Sequence, residues 1–299
     1  MNVKSVKGNT YCIDTGREYI PFYRINNKDI VMIDTGLFEG ERRKIELLLE
    51  EMDFNVVGII CSHAHIDHIG NSEYLRRKYN CKVAMSEGEA FLCKNLMNLK
   101  ILYGTLSLRD IEDYFGHMLL NVEIIIKDND KEVNIGGADF KITRTPGHSI
   151  DHICITTPDN VTYLGDSLMS YDVINSSKMP YAFNIKEELR SKEKIRVLDS
   201  SRYIVAHKGI YNDINELIDE NIDFYKTTAE KILSLIDKVM TKEEVIKTIA
   251  KEFHINMRNI RKYNVMERIV SSYIDYLIET KNINVILDDG IIKYVIVDM

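Results

Sequence analysis

Residues 61–71 read CSHAHIDHIGN, from Cys61 to Asn71, and hold three of the chain's eight histidines and an aspartate within six positions. His63 and His65 are two apart, so in extended backbone both side chains project to the same side. They can share one metal ion. Asp67 and His68 follow where the chain turns into NSEYLRRKY, a helical pattern, and can face a second metal beside the first. Neutral imidazole and carboxylate are the ligands expected for Zn²⁺, Mn²⁺ or Fe, and no thiolate is needed. Cys61 closes an apolar run and reads as a small buried core residue rather than a ligand or nucleophile.

That apolar run, VVGIICSH, is one of five short stretches rich in β-branched residues that stop at a polar residue. DIVMIDTG ends at Asp34, FKITRTPGH turns through Pro-Gly to His148, VTYLGD ends at Asp166 and RYIVAH at His207. Each reads as a buried strand of a few residues followed by a loop. Helical patterns lie between them (EGERRKIELLLEEM, NSEYLRRKY, IKEELRSKEKIRVLDS), so the expected class is layered α/β. In open α/β sheets, ligands collect beyond the carboxyl ends of strands. Five strands that each deliver His or Asp to that position describe one site. His148 is the candidate to complete the first metal's ligands, His207 the second's, and Asp166 to bridge them. Two cations about 3.5–4 Å apart can deprotonate a shared water at neutral pH.

HAHIDH, TPGHS, LGD and VAHKG, with VMIDTG before them, resemble the successive motifs of the metallo-β-lactamase superfamily over roughly residues 1–210. The resemblance implies an αββα sandwich with a dinuclear site at one edge. It implies His63, His65 and His148 on metal 1, Asp67, His68 and His207 on metal 2, and Asp166 between them. It makes Asp34 a residue that steadies the histidine loop. TPGHSIDHICI is similar to the glyoxalase II pattern, which implies that His152 supports the site from behind or packs in the core. Asn71 stands where many relatives carry a second glycine, and Asp151 replaces the glycine common before the later histidine. No H-x-E-x-D cluster appears, which argues against the flavin-linked di-iron branch.

The implied chemistry is hydrolysis of a small thioester, lactone or related acyl bond by a hydroxide shared between two divalent ions, Zn²⁺ first, with Mn²⁺ or Fe as alternatives. Asp67 and Asp166 are the candidate catalytic carboxylates. The segment after the bridging aspartate, SLMSYDVINSSKMPYAFN, is expected to form a lip, with Tyr171, Lys178, Tyr181 and Lys208 as candidate substrate contacts. Two other reactions stay open: persulfide oxidation at a mononuclear iron, and endoribonuclease-like phosphodiester hydrolysis. A protein that keeps the ligands without turnover is a third alternative.

Residues 86–122 are helix-like, apolar and methionine-bearing, an insertion suited to a substrate wall, a homodimer surface or ordinary packing. His117 within it reads as structural or exposed. From residue 211 the pattern changes to three amphipathic helices and a hairpin, NVILDDGIIKYVIV, with Asp289-Gly290 at its turn. Thr241 and Glu244 have capping-box spacing. The expected division is therefore 1–210, catalytic, and 211–299, a small mainly helical winged-helix-like unit. Such units often bind nucleic acid, but 211–299 carries 12 Lys and Arg against 16 Asp and Glu, and nucleic-acid binding calls for a basic face. Arg258, Arg261 and Lys262 form its one local basic cluster.

At 299 residues with net charge −7 and 45% hydrophobic residues, the composition is that of an ordinary globular chain, not of a nucleic-acid or anionic-membrane binder. Five cysteines without a CxxC pair fit free thiols in a reducing compartment, and the start lacks the apolar stretch of a signal peptide. A cytoplasmic protein acting on small molecules, with no membrane partner, is the expectation.

Overall fold

The computed structural model describes residues 1–104 and 106–297. Its first sheet follows chain order: β1 (Asn2–Lys7), β2 (Thr10–Asp14), β3 (Tyr19–Arg24), β4 (Asp29–Ile33), β5 (Asn55–Ile60), β6 (Lys82–Ser86) and β7 (Ile124–Ile126). Pairing is antiparallel up to β4 and parallel from β4 to β7. Parallel neighbours need crossover connections, usually helical. Here these carry α1 (Phe38–Glu51), α2 (Ile66–Ile69), α3 (Ser72–Tyr79), α4 (Glu87–Cys93), α5 (Leu96–Leu102) and α6 (Leu108–Phe115).

The second sheet holds β8 (Glu132–Ile135), β9 (Ala138–Arg144), β10 (Ile153–Thr156), β11 (Val161–Tyr163), β12 (Arg202–Val205) and β13 (Gly209–Tyr211), again neighbours in chain order. All its pairs are antiparallel except β11 with β12, whose connection contains α7 (Tyr171–Ser176) and α8 (Ile185–Arg196).

Alternation along each strand sorts side chains between two cores. Val31, Ile33 and Ile60 of the first sheet meet Phe140, Ile155, Tyr163 and Ile204 of the second between the sheets. Ile30, Met32 and Ile59 point the other way, onto α1 and α3 through Leu49 and Leu75. On the far side of the second sheet, Cys154, Leu164, Tyr203 and Val205 pack on Ile195 of α8 and on Leu217 and Ile218 of α9 (Asn215–Ser234). The layers are helix, sheet, sheet, helix. Burial on both faces is why these strands read as unbroken apolar runs.

After α9 come β14 (Met240–Thr241), α10 (Lys242–Glu252), α11 (Ile260–Glu279) and the hairpin β15 (Ile283–Asp288) with β16 (Ile291–Ile296). They share an apolar cluster that includes Ile232, Ile249, Val270 and Tyr273. The Thr241–Glu244 capping box is present, and the hairpin turns on Asp289 and Gly290, both at positive φ as a type I′ turn requires. The last helix begins earlier than its apolar pattern. The Asn259 side chain accepts the Lys262 N–H at 3.0 Å, so Arg261 and Lys262 lie in its first turn. Among the described residues, no helix is long and apolar enough to cross a membrane.

For function, the key registers are Ile33 beside Ile60 and Tyr163 beside Ile204. Each sheet contributes a parallel pair, β4/β5 or β11/β12, with two carboxyl ends side by side.

Candidate metal centre

Asp34, directly after β4, takes a left-handed φ of 58° that turns its carboxylate toward the end of β5. Oδ1 accepts the Ser62 N–H at 2.7 Å, and Oδ2 accepts the Ser62 hydroxyl at 2.6 Å, His68 Nδ1 at 2.8 Å and the Tyr163 hydroxyl at 2.8 Å. Four donors on one carboxylate fix the state of the imidazoles around it. In its neutral form His68 keeps its proton on Nδ1, leaving Nε2 with a lone pair. Ser62 gives its only proton to Asp34, so it accepts from His63 Nδ1 at 3.0 Å, and His63 Nε2 is likewise left as a lone pair.

Those lone pairs face two clusters. In the first, His63 Nε2 lies 2.9 Å and His148 Nε2 3.0 Å from His65 Nδ1. Asp166 Oδ2 sits 3.2 Å from His148 Nε2. In the second, Asp166 Oδ1 stands 3.4 Å from both His68 Nε2 and His207 Nε2, and Asp67 Oδ2 is 3.6 Å from His207 Nε2. Within each group, the donor atoms of His63, His65, His148 and Asp166, and of Asp67, His68 and His207, lie within 4.8 Å of one another. Asp166 turns one oxygen to each.

The electrostatics split along the same line. Burial drives the His63 and His148 pKa values well below the ordinary range, and takes His65 down to about 4. At His207 the Asp166 charge outweighs burial and raises the pKa to about 9. At His68 burial is again overcome, by Asp166 and Asp34, and the pKa is raised well above its usual value. Burial would raise Asp166, but His207, His68 and His148 hold it well below the usual carboxylate range.

These donors fit cations. His68 Nε2 and Asp166 Oδ1 are buried and have no hydrogen-bond partner among the described residues. Buried polar atoms are normally satisfied. Three ring nitrogens converging without a polar hydrogen for each have the same need. A divalent ion at each cluster would satisfy all of them with the imidazole and carboxylate donors such ions take.

His152 sits one layer back. Its Nδ1 bonds Thr145 Oγ1 at 2.8 Å and Ser167 Oγ at 3.1 Å, and its Nε2 accepts the Asp166 N–H at 3.3 Å. It anchors the backbone of Asp166. Gly165, at φ +52°, lies so close that a Cβ there would come within 2.5 Å of His152 Nε2.

Several residues support the centre in ways the sequence did not show. Glu89 of α4 is fully buried, and its Oε2 accepts the Ala64 N–H at 2.9 Å. Its Oε1 accepts the Ser149 hydroxyl at 2.5 Å and the Asp151 N–H at 2.8 Å. One side chain thus holds the loops bearing His63, His65 and His148. Asp151, in turn, pairs with Arg144 and accepts the Gly88 N–H at 2.8 Å. Asn71 donates its amide to the Thr35 carbonyl at 2.8 Å and the Leu37 carbonyl at 3.1 Å, binding the two turns that flank Asp34 and His68. A glycine could not do this. Acidic residues on helices and amides in turns look like surface, and only the packing reveals these.

Cys61 is fully buried with its thiol pushed up by burial, which suits neither nucleophile nor ligand. His117 is half-buried and stacks on Phe38 at 4.6 Å. Of the four expected substrate contacts, Tyr181 alone lines the large cavity beside the centre. Tyr171 packs on Tyr211 instead, because both face the outer helical layer. The exposed Lys178 side chain has no ion-pair partner among the described residues, and Lys208 is drawn to Asp14 at 3.7 Å. The cavity, about 840 Å³, is walled by Ile101, Leu102, Tyr103, Leu106 and Phe115 of the 86–122 insertion on one side and by α11 on the other.

Comparison with known proteins agrees with this architecture. Residues 16–207 match the sequence model of the metallo-β-lactamase superfamily. A hydroxyacylglutathione hydrolase of Haemophilus influenzae is 25% identical over 195 residues, 64% of this chain and 85% of that protein. A metallo-β-lactamase fold-containing protein of Sulfurisphaera tokodaii is 24% identical over 245 residues, 78% of this chain and 86% of its own. The crystal structure of a metallo-β-lactamase family protein from Thermus thermophilus superposes with a TM-score of 0.71 at 18% identity. It covers 94% of each chain.

Proposed function

Since the chain belongs to the metallo-β-lactamase superfamily and is a metallo-hydrolase, we propose that it cleaves a small ester-like substrate, a thioester, lactone or related acyl bond, with two divalent ions. The observation that carries this reading is the disposition of Asp166, with Oδ2 toward one donor cluster and Oδ1 toward the other. His63, His65 and His148 would hold the first ion, Asp67, His68 and His207 the second, and Asp166 both. Zinc suits this donor set. When bound, such ions make hydroxide available from water near neutral pH and polarise a carbonyl.

The protein's own part is alignment and proton handling. Asp34 and Ser62 fix the tautomers of His68 and His63, so both present lone pairs rather than N–H groups. His152 holds the Asp166 backbone, which sets the angle of the shared carboxylate. Asp67, about a third exposed, can take the proton that the attacking water gives up and release it to solvent. We read residues 211–299 as a winged-helix-like unit that acts as a wall of the pocket rather than as a nucleic-acid module, because α11 lines the cavity.

The test joins two measurements on protein purified without added metal or chelator: metal per chain by elemental mass spectrometry, and turnover of thioester, lactone and phosphodiester panels. About two equivalents of zinc with acyl hydrolysis supports the reading. About one equivalent of iron without hydrolysis overturns it in favour of persulfide oxidation. Phosphodiester cleavage alone favours the nuclease alternative.

A further inference from the structure

The cavity beside the metal centre has polar groups that nothing in the fold uses. Residues 261, 264, 268, 271 and 275 of α11 recur at helical spacing and line one side of it. Within this stripe, Asn264 is 9% exposed, yet neither its amide nitrogen nor its carbonyl oxygen has a partner among the described residues. One turn on, Arg268 makes no hydrogen bond or ion pair among the described residues, and its Nη1 is buried without a partner. Its guanidinium is held by rings instead, 5.2 Å from the centroid of Tyr103 and 5.6 Å from that of Tyr181. The nearby acids do not neutralise it. Glu267 is paired with Lys242, and Asp275 stands exposed two turns further along.

A guanidinium with one nitrogen withdrawn from water and no ion-pair partner among the described residues is costly, and in a native fold such a group calls for a complementary anion. Tyr181 places it. That ring also meets His65 and His148, with centroids 5.8 and 5.4 Å away. Arg268 is therefore one aromatic ring from the first donor cluster. Ile66, Tyr103 and Phe115 make the intervening wall apolar. A volume of about 840 Å³ falls within the usual range for small-molecule sites.

We propose that Arg268 and Asn264 form an anion subsite, so that the substrate is an acyl compound with an apolar or aromatic body and a terminal carboxylate or similar anion seated on α11. This deepens the hydrolase reading and rests on it for the word substrate. The subsite itself stands on the cavity alone. Asn264 supplies an N–H to the anion beside the bidentate fork of Arg268. Specificity for the acyl group is then set by the C-terminal helix rather than by the loops after the strands.

The test uses the full-length, metal-replete protein and two matched pairs of probes. The first pair is 4-phenylbutyrate and its neutral amide, titrated calorimetrically. The second is a phenyl-bearing thioester with a terminal carboxylate and its methylamide counterpart, followed by turnover. The expected result is a carboxylate preference of about 10- to 100-fold in wild type. That preference is lost in Arg268→Gln, reduced in Asn264→Leu and partly kept in Arg268→Lys, all with unchanged metal content. In turnover the loss falls on KM rather than kcat. Arg268→Glu is the decisive variant, because it should reverse the preference toward 4-phenylbutylamine, which misfolding cannot do. Equal binding of acid and amide by wild type, or a carboxylate preference that survives Arg268→Gln, overturns the subsite and assigns anion affinity to the metals. Binding of single-stranded RNA in place of the probes, abolished by Arg268→Gln, overturns the small-molecule assignment. Thioester hydrolysis without carboxylate preference sinks the subsite alone. An Arg268-dependent preference without hydrolysis sinks the acyl-hydrolase reading alone.

Discussion

The carboxylate of Glu89 accepts the backbone N–H of Ala64, the residue between two candidate metal ligands, at 2.9 Å from a position with no solvent exposure. Its other oxygen holds Ser149 and Asp151, so the spacing between the first histidine loop and the His148 loop passes through one side chain. Glu89→Gln replaces one acceptor with an amide that must face a donor. Metal affinity should fall roughly 10- to 100-fold and stability by about 1–3 kcal/mol, measured by competition with a chromogenic chelator and by urea unfolding. Burial holds the Glu89 carboxyl above its ordinary range. A raised acid contributes stability below its unfolded value and loses it as pH rises through the folded value. Since Gln cannot ionise, the stability gap between wild type and variant should narrow toward alkaline pH.

Asp34→Asn keeps the shape of the residue but loses acceptor capacity at a carboxylate that serves Ser62, His68 and Tyr163. The His68 and His63 tautomers are then no longer dictated. Metal content should drop most at the second cluster, with affinity weaker by about 10- to 100-fold. Retention of a full complement of metal by this variant, seen by elemental mass spectrometry, would show that Asp34 does not orient the ligands.

Gly165→Ala places a methyl group within 2.5 Å of His152 Nε2 at a φ of +52°. Steric strain of this kind costs on the order of 1–3 kcal/mol. Because Gly165 precedes Asp166, the displacement should also lower turnover. Urea midpoints and kcat measured together check both, and a stability loss with unaltered kcat would separate the turn from the centre.

Chelation should destabilise the fold as well as stop the reaction. Without cations, His68 Nε2 and Asp166 Oδ1 stay buried with no hydrogen-bond partner among the described residues. Ligands that bind only the native state stabilise it by mass action, about 2.7 kcal/mol at a free concentration 100 times Kd. Melting temperature should fall on chelator addition and return with Zn²⁺, and an unchanged melting temperature would mean that the donors are already satisfied.

The centre was more legible in the sequence than the pocket. His63, His65, Asp67 and His68 are contiguous, and His148, Asp166 and His207 each end a β-branched run, so local pattern alone points to the positions that the fold brings together. The strands read equally well, since burial on both faces leaves an unbroken apolar signature. Glu89, Asn71 and Arg268 could not be read this way. Glu89 and Arg268 lie on helices and Asn71 in the turn before α3, places where a polar residue is ordinary, and the importance of each arises from what tertiary packing sets against it. Tyr171, Lys178 and Lys208 lie outside the cavity lining for a related reason. Sequence placed them near the lip, but the direction of a loop side chain depends on neighbours such as Tyr211 and Asp14, far away in the chain.

The donors come from different sheets and from well-separated stretches of the chain, His63 to His68 after β5 of the first sheet and His148, Asp166 and His207 after β9, β11 and β12 of the second. An ion held between them is therefore a cross-link that closes a loop of some eighty residues or more. Closing such loops costs several kcal/mol of chain entropy, which in secreted proteins is often offset by disulfides. All five cysteines here are free and buried. The metal centre would thus do a fastener's work as well as a reagent's, and metal supply would govern how long the folded chain survives as well as how fast it turns over.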